Sequence, residues 1–103
     1  MDYQLIIKFW RKSLDSEAFL STIESELQAV LGDSAQTDGY DVSSKEINLF
    51  LITPDPRHTF RRVKGVLETL GVLHAVSAGS RLVGGAQFSS HWPLRSTRKF
   101  KLP

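Results

Sequence analysis

The chain has 103 residues, of which 41% are hydrophobic and 23% are charged, and its formal net charge is +2 at pH 7. This composition is typical of one globular domain with one core. The absence of cysteine excludes disulfides, thiolate zinc sites and cysteine nucleophiles. No apolar run approaches the ~20 residues of a membrane span, and the first residues lack the positive charge of a signal peptide. We therefore expect a cytoplasmic protein that does not contact a membrane.

The two parts of the chain carry opposite charge. Residues 1–55 contain four basic and ten acidic side chains, whereas residues 56–103 contain nine basic and one acidic side chain. The formal charges of these two parts are therefore −6 and +8. Such asymmetry is typical of proteins that bind an anionic partner or that dock by charge.

The first part of the chain predicts a strand, a helix and a short edge strand. Tyr3–Trp10 has the period of two expected of a strand. Residues 13–16 offer N-cap oxygens for a helix whose apolar residues recur every three or four positions until Gly32 ends it. Asp38-Gly39 predicts a turn, and Gly39–Ser44 predicts a weak edge strand after it.

A central strand and a second helix follow. Glu46–Thr53 is apolar on both faces, which predicts a central position in the sheet. Asp55 can cap a helix, and Pro56 fits the first helical turn. Apolar residues at helical spacing then continue until Gly71, which predicts the end of this helix.

The last third of the chain predicts a hairpin and a tail. Gly84-Gly85 separates two extended runs, Val72–Val83 and Ala86–Trp92, and suits a two-residue hairpin turn. Residues 94–103 are basic and lack a periodic apolar face, so we expect a mobile tail. The sequence therefore predicts one domain over residues 1–93.

The order strand, helix, strand, strand, helix, strand predicts a ferredoxin-like βαββαβ sandwich of the α+β class. Its antiparallel sheet carries two helices on one face, and we expect the last strand to be doubled into the hairpin. Five short stretches within residues 5–60 carry a resemblance: Lys8–Trp10, Leu31–Asp33, Asp38–Asp41, Glu46–Phe50 and Thr53–Pro56. Through them, most of residues 5–60 resembles a small uncharacterised bacterial family without an assigned activity. The resemblance implies the same fold but no functional residue.

The sheet face opposite the helices is the first candidate site. We call it the back face and define it by Ile6, Lys8, Trp10, Asn48, Phe50 and Ile52. An exposed face with this many large apolar side chains usually marks an interface, and aromatic residues dominate binding hot spots. We therefore expect a non-enzymatic module that self-associates as a dimer or docks a protein partner through this face. The alternative explanation is that the C-terminal hairpin or tail folds over the same face.

Basic residues form a second candidate site, for nucleic acid. Spacings of four and three place Arg57, Arg61 and Lys64 on one helix face, where they could bind phosphates. A solvated helix face is the alternative explanation. Back-face aromatics could also stack bases, although the sequence motif of RNA-recognition domains is missing. The basic set comprises Arg57, Arg61, Arg62, Lys64, Arg95, Arg98, Lys99 and Lys101.

The remaining groups predict no catalytic residue, metal site or cofactor. The acidic cluster before the central strand does not match an EF-hand loop, and we expect it to shape turns. No nucleophile elbow or phosphate loop occurs. A dimeric enzyme with a pocket between sheet and helices is a further alternative. The acidic cluster is Asp33, Asp38, Asp41 and Glu46, and the histidines, which we expect at the surface, are His58, His74 and His91.

Overall fold

A computed structural model describes residues 1–10, 17–93, 100 and 102 of the chain. No helix in this described part is both long and apolar enough to cross a membrane. The predicted N-cap at residues 13–16 lies outside the described residues. In chain order the elements are β1 (Tyr3–Trp10), α1 (Glu17–Leu31), β2 (Gln36–Val42), β3 (Glu46–Thr53), α2 (Pro56–Thr69), β4 (Val76–Leu82) and β5 (Ser89–Trp92).

The strands form one five-stranded sheet in the order β2-β3-β1-β4-β5. Every neighbouring pair is antiparallel. The α+β class and the central position of Glu46–Thr53 are therefore confirmed. Since β1 and β3 pair over their whole length, the most regular part of the sheet lies at its centre.

One hydrophobic core lies between the sheet and the two helices. Alternate residues of β1 and β3 enter it together with the apolar stripes of α1 and α2, as period two and period 3.6 require. Both helices thus cover the same sheet face. The fully buried members are Leu5, Ile7, Phe9, Leu20, Ile23, Leu27, Leu49, Leu51, Val63, Leu67 and Ala78.

Helix α2 begins and ends where the sequence predicts. The Asp55 carboxylate accepts a hydrogen bond of 3.1 Å from the backbone N–H of His58, and Pro56 occupies the first helical position. At the other end Gly71 has a φ of +76°, and the N–H of Val72 donates to the carbonyl of Leu67. This left-handed ending is a Schellman motif, for which glycine has no steric cost.

The edge strand β2 begins earlier than the predicted Gly39–Ser44, and the turn predicted at Asp38-Gly39 is wrong. These two residues lie inside the strand, where both oppose Phe50 as a β-bulge. Gly39 has a φ of +76°, which supplies the conformation that such a bulge needs. The strand therefore continues through the glycine and ends at Val42.

The predicted hairpin of the last two strands is present, but its two-residue turn is wrong. Gly85 N–H donates to the carbonyl of Leu82 at 2.7 Å, and Gly84 has a φ of +81°, so the glycines close a tight turn. The chain does not return to the sheet until Ser89. The predicted strand from Val72 also starts late, because Leu73–Ala75 forms a 3₁₀ turn.

Candidate functional site

The back face is less open than the sequence predicts. Ile6 is fully buried and Asn48 is 2% exposed, so neither offers surface to a partner. Phe50 and Ile52 are half-buried. Trp10, at the end of β1, is 57% exposed and is the principal accessible aromatic residue of this face within the described chain.

A residue of the C-terminal segment covers the centre of the back face. The Phe100 ring lies where a Cβ on Gly79 would have to be, and Gly79 is the cross-strand neighbour of Ile6. The Phe88 ring lies 5.5 Å from the Phe100 ring between centroids, and the Lys8 ammonium lies 4.9 Å from the Phe100 centroid. The chain therefore supplies its own apolar cover over Gly79, next to Ile6 in the sheet.

The charge of the back face is also satisfied within the chain. The Lys8 ammonium lies 3.2 Å from a carboxylate oxygen of Glu46. The same carboxylate accepts a 2.9 Å hydrogen bond from the side-chain amide of Asn48. The Asn48 Oδ1 atom is buried and has no hydrogen-bond partner among the described residues. This network joins β1 to β3 across the register that pairs Lys8 with Asn48.

The basic residues of α2 point in two directions. Arg62 faces α1, where its guanidinium donates to the backbone carbonyl of Val30 and, at 3.2 Å, to the hydroxyl of Ser34. Arg57 and Arg61 are exposed on the side that faces β5. The structure therefore separates Arg62 from the rest of the predicted nucleic-acid set. The tail members Arg95, Arg98, Lys99 and Lys101 lie outside the described residues.

A pocket of about 400 Å³ lies between α2 and β5, and we call it the α2–β5 pocket. The three cations that the sequence places on one helix face all line it, so that prediction is confirmed. Residues of β5 and one core aromatic residue complete it. Its described lining consists of Arg57, Phe60, Arg61, Lys64, Ser90, His91 and Trp92.

A second bulge explains why two adjacent aromatic residues of β5 reach this pocket. Alternation along a strand would place His91 and Trp92 on opposite faces. Ala78 pairs with Trp92, whereas the next residue of β4 pairs with Ser90, so His91 is an extra residue. Both rings consequently lie 6.3 Å from the Phe60 ring between centroids.

Sequence reasoning missed His91, which is half-buried rather than at the surface. One ring nitrogen, Nε2, lies 2.7 Å from the hydroxyl of Ser80. Burial, and then the positive charge of Arg57, lower the pKa of the His91 imidazole from its ordinary value of 6.5. The lowered pKa therefore favours the neutral ring at pH 7. The bulged residues themselves, Ser90 and His91, include no glycine or proline that would mark the bulge in the sequence. His58 and His74 are exposed as predicted.

The Ser80–His91 pair is not arranged for nucleophilic catalysis. Ser80 is 4% exposed, which closes its oxygen to a substrate. Within the described chain no carboxylate bonds to His91, so the orienting third member of a triad is missing. The pair instead ties β5 to β4.

The pocket is positively charged because Arg57, Arg61 and Lys64 line it and no described acidic residue does. None of its three cations forms an ion pair with a carboxylate among the described residues. The Lys64 ammonium lies 4.6 Å from the Trp92 ring centroid, a cation–π contact that leaves its charge uncompensated. The arrangement can therefore bind an anion beside an aromatic wall.

The predicted acidic cluster does not converge on a point. Among the described residues, no three histidine or acidic side chains are grouped so that they could hold a metal ion. Asp33 lies in a 3₁₀ turn after α1, and Asp38 lies in the bulge of β2. The Glu46 carboxylate forms an ion pair with Lys8.

No protein-family model, curated protein or solved structure matches this chain.

Proposed function

We propose that this chain binds single-stranded nucleic acid, with the α2–β5 pocket as its anchor. The observation that carries the proposal is the convergence of three cations without carboxylate partners, Arg57, Arg61 and Lys64, on a pocket walled by aromatic rings. Positive grooves combined with aromatic side chains are how proteins bind single strands without reading their sequence.

We further propose that the fold is ferredoxin-like, with β5 added beside β4. The element order of β1, α1, β2, β3, α2 and β4 supports this proposal, as do the central positions of β1 and β3. The resemblance of residues 5–60 to a small bacterial family is likewise a proposal. Neither proposal assigns a function, because one fold supports many.

The location of the pocket supports strand binding in two ways. Arg57 and Arg61 are exposed, so phosphates can reach their guanidinium groups without unfolding of the chain. Trp92 and His91 lie on the edge strand β5, which places rings beside the cations rather than beneath the helices. The uneven charge of the chain, with +8 over residues 56–103, attracts the same ligand over a longer range.

Binding of a labelled single-stranded oligonucleotide, measured by fluorescence anisotropy at several salt concentrations, tests the proposal. We expect the affinity of the full chain to fall between about 50 and about 200 mM salt, because bound phosphates release counterions. The triple substitution Arg57→Gln, Arg61→Gln and Lys64→Gln should flatten the slope of log affinity against log salt by about 2, at ~0.7 per lost contact on a single strand.

Lys45→Gln is the matched control for Lys64→Gln. It removes the same charge from an exposed residue at the opposite end of β3 from α2. We expect Lys64→Gln to weaken binding and Lys45→Gln to leave it nearly unchanged. Equal losses in both variants would mean that net charge alone holds the strand, and absence of salt-sensitive binding by the full chain would refute the function.

A second proposed function is protein–protein interaction through Trp10, as a homodimer or with a protein partner. The exposure of this indole, 57%, supports it, although the rest of the back face is largely covered. Light scattering after size exclusion tests self-association: Trp10→Ala should lower the mass of any dimer. An unchanged mass, together with retention of any partner that copurifies with the full chain, would refute this second function.

A further inference from the structure

We propose, on the basis of the nucleic-acid function proposed above, that the α2–β5 pocket binds a phosphomonoester in preference to an internal phosphodiester. The ligand is then the phosphorylated end of a nucleic-acid strand or a free mononucleotide, which share this group. The proposal rests on two properties of the pocket: three cations line it, and its volume accommodates about one nucleotide.

The space limits the ligand to about one nucleotide. A volume of about 400 Å³ lies at the low end of the range of ~300–1,000 Å³ typical of small-molecule sites. Phe60 is 6% exposed and closes the pocket toward the core. The pocket therefore holds about one nucleotide, and a phosphate placed in it can contact all three cations.

The charge of the pocket exceeds what one internal phosphate can neutralise. Arg57, Arg61 and Lys64 contribute three positive charges, and no described acidic residue lines the pocket. A phosphodiester brings one negative charge. A phosphomonoester brings about −1.5 to −2 at pH 7 and has three strong acceptor oxygens.

The types of cation also suit a terminal phosphate. Two of the three are arginines, whose planar guanidinium groups donate paired hydrogen bonds to phosphate oxygens. Residues 57 and 61 are one helical turn apart on α2, which brings both guanidinium groups to the same wall. A terminal phosphate exposes three oxygens to such donors, whereas an internal phosphate uses two of its four oxygens in ester bonds.

The aromatic side of the pocket accounts for the nucleoside. Trp92 is half-buried on β5 and packs against the core, so its ring is held in place. When Lys64 leaves the Trp92 ring to contact a phosphate, the ring opens to a stacked base, and such stacking tolerates every base. We therefore expect the phosphate, rather than the base, to decide which strands bind.

Competition against a labelled single strand tests the proposal with full-length protein. The competitors are strands of about eight nucleotides, within the usual site sizes, that share one sequence and carry a 5′-phosphate, a 3′-phosphate or no terminal phosphate. Adenosine monophosphate and inorganic phosphate are two further competitors. We expect either the 5′-phosphorylated or the 3′-phosphorylated strand to bind about tenfold tighter than the unphosphorylated strand. This factor is the effect of one charge-assisted hydrogen bond.

The variants locate that preference. Arg57→Gln should bring the ratio of the two affinities close to one, whereas Lys45→Gln should preserve it. Equal binding of all three strands would overturn the phosphomonoester inference and leave the nucleic-acid function standing. If the labelled strand does not bind, isothermal titration calorimetry with adenosine monophosphate replaces the competition. Binding of adenosine monophosphate without binding of any strand would then refute the nucleic-acid function and support the phosphomonoester site, whereas absence of both would refute both.

Discussion

Two surfaces of this molecule combine a lysine with an aromatic ring, yet only one of them is left for a ligand. On the back face, Lys8 contacts the Phe100 ring and also pairs with the Glu46 carboxylate. In the α2–β5 pocket, Lys64 contacts the Trp92 ring, and no described carboxylate balances its charge. The same pair of residue types is thus part of the folded structure in one place and a candidate binding site in the other.

Residue types alone therefore do not define a binding site, because the contacts that each side chain already makes within the chain decide whether it can bind a ligand. The sequence predicts the back face as the interface because Ile6, Trp10 and Phe50 have large apolar side chains. The structure shows that Ile6 is fully buried. Arg57, Arg61 and Lys64 of α2, by contrast, have no carboxylate partner among the described residues.

Substitution of Ile6 tests whether the back face is closed, and we expect it to change the free energy of unfolding more than any other substitution below. Ile6→Ala should lower the free energy of unfolding by about 2–5 kcal/mol, as for a core residue, because the side chain is fully buried. Urea denaturation measures the change. Ile52→Ala on the same face is the control and should cost less, since Ile52 is only half-buried. Equal and small costs at both positions would show that the back face is open.

Substitution of Gly79 tests whether the Phe100 ring covers the back face. An added methyl group in Gly79→Ala would overlap the Phe100 ring, so we expect a loss of about 1–3 kcal/mol, as for other overpacked sites. In a Phe100→Ala background the same change should cost almost nothing, because the ring is gone. A double-mutant cycle by urea denaturation measures this coupling. Additive losses would mean that Phe100 does not rest on Gly79.

A smaller effect separates the two sides of α2. Apart from the adjacent turns of α2, a Cβ at Gly65 would meet no atom of the described residues within 4 Å. Gly65 lines the groove beside Arg62 rather than the α2–β5 pocket. Gly65→Ala should therefore raise the free energy of unfolding by about 0.5–1 kcal/mol through helix propensity. Oligonucleotide affinity should stay the same. A change in affinity would show that the groove side and the pocket side are coupled.

We expect the smallest effect from acid. The pKa of His91 is lower in the folded chain than its ordinary value, so near that value the unfolded chain binds more protons. The stability contribution of His91 is then present at high pH and is lost as pH falls below about 6.5. Melting temperatures at about pH 7.5 and about pH 5.5 should differ more for the native chain than for His91→Asn. Equal differences would mean that His91 does not titrate in this range.

Much of the fold could be predicted from the sequence, because short local signals specify it. Asp55 and Pro56 begin α2 and Gly71 ends it, as their chemistry requires. The strand β3 is central because it is apolar on both faces. The two bulges could not be predicted, since an extra residue in a strand depends on the pairing of the strand with its neighbour and not on its own pattern.

The site was predicted in part for the same reason. Helical spacing alone places Arg57, Arg61 and Lys64 together, and the structure agrees. The turning of Arg62 toward Val30 depends on where α1 lies, which no spacing within α2 can reveal. The entry of His91 into the pocket depends on the bulge in β5.

The bulge at Asp38-Gly39 also bears on how this chain behaves at high concentration. Among the described strands β2 lies at the edge of the sheet, and the bulge interrupts this edge near its middle, so the incoming strand of another molecule would find a broken template. The opposite edge, β5, has four residues and is followed by Pro93. Both margins of the sheet are therefore poor starting points for polymerisation, and concentrated solutions should resist fibril formation.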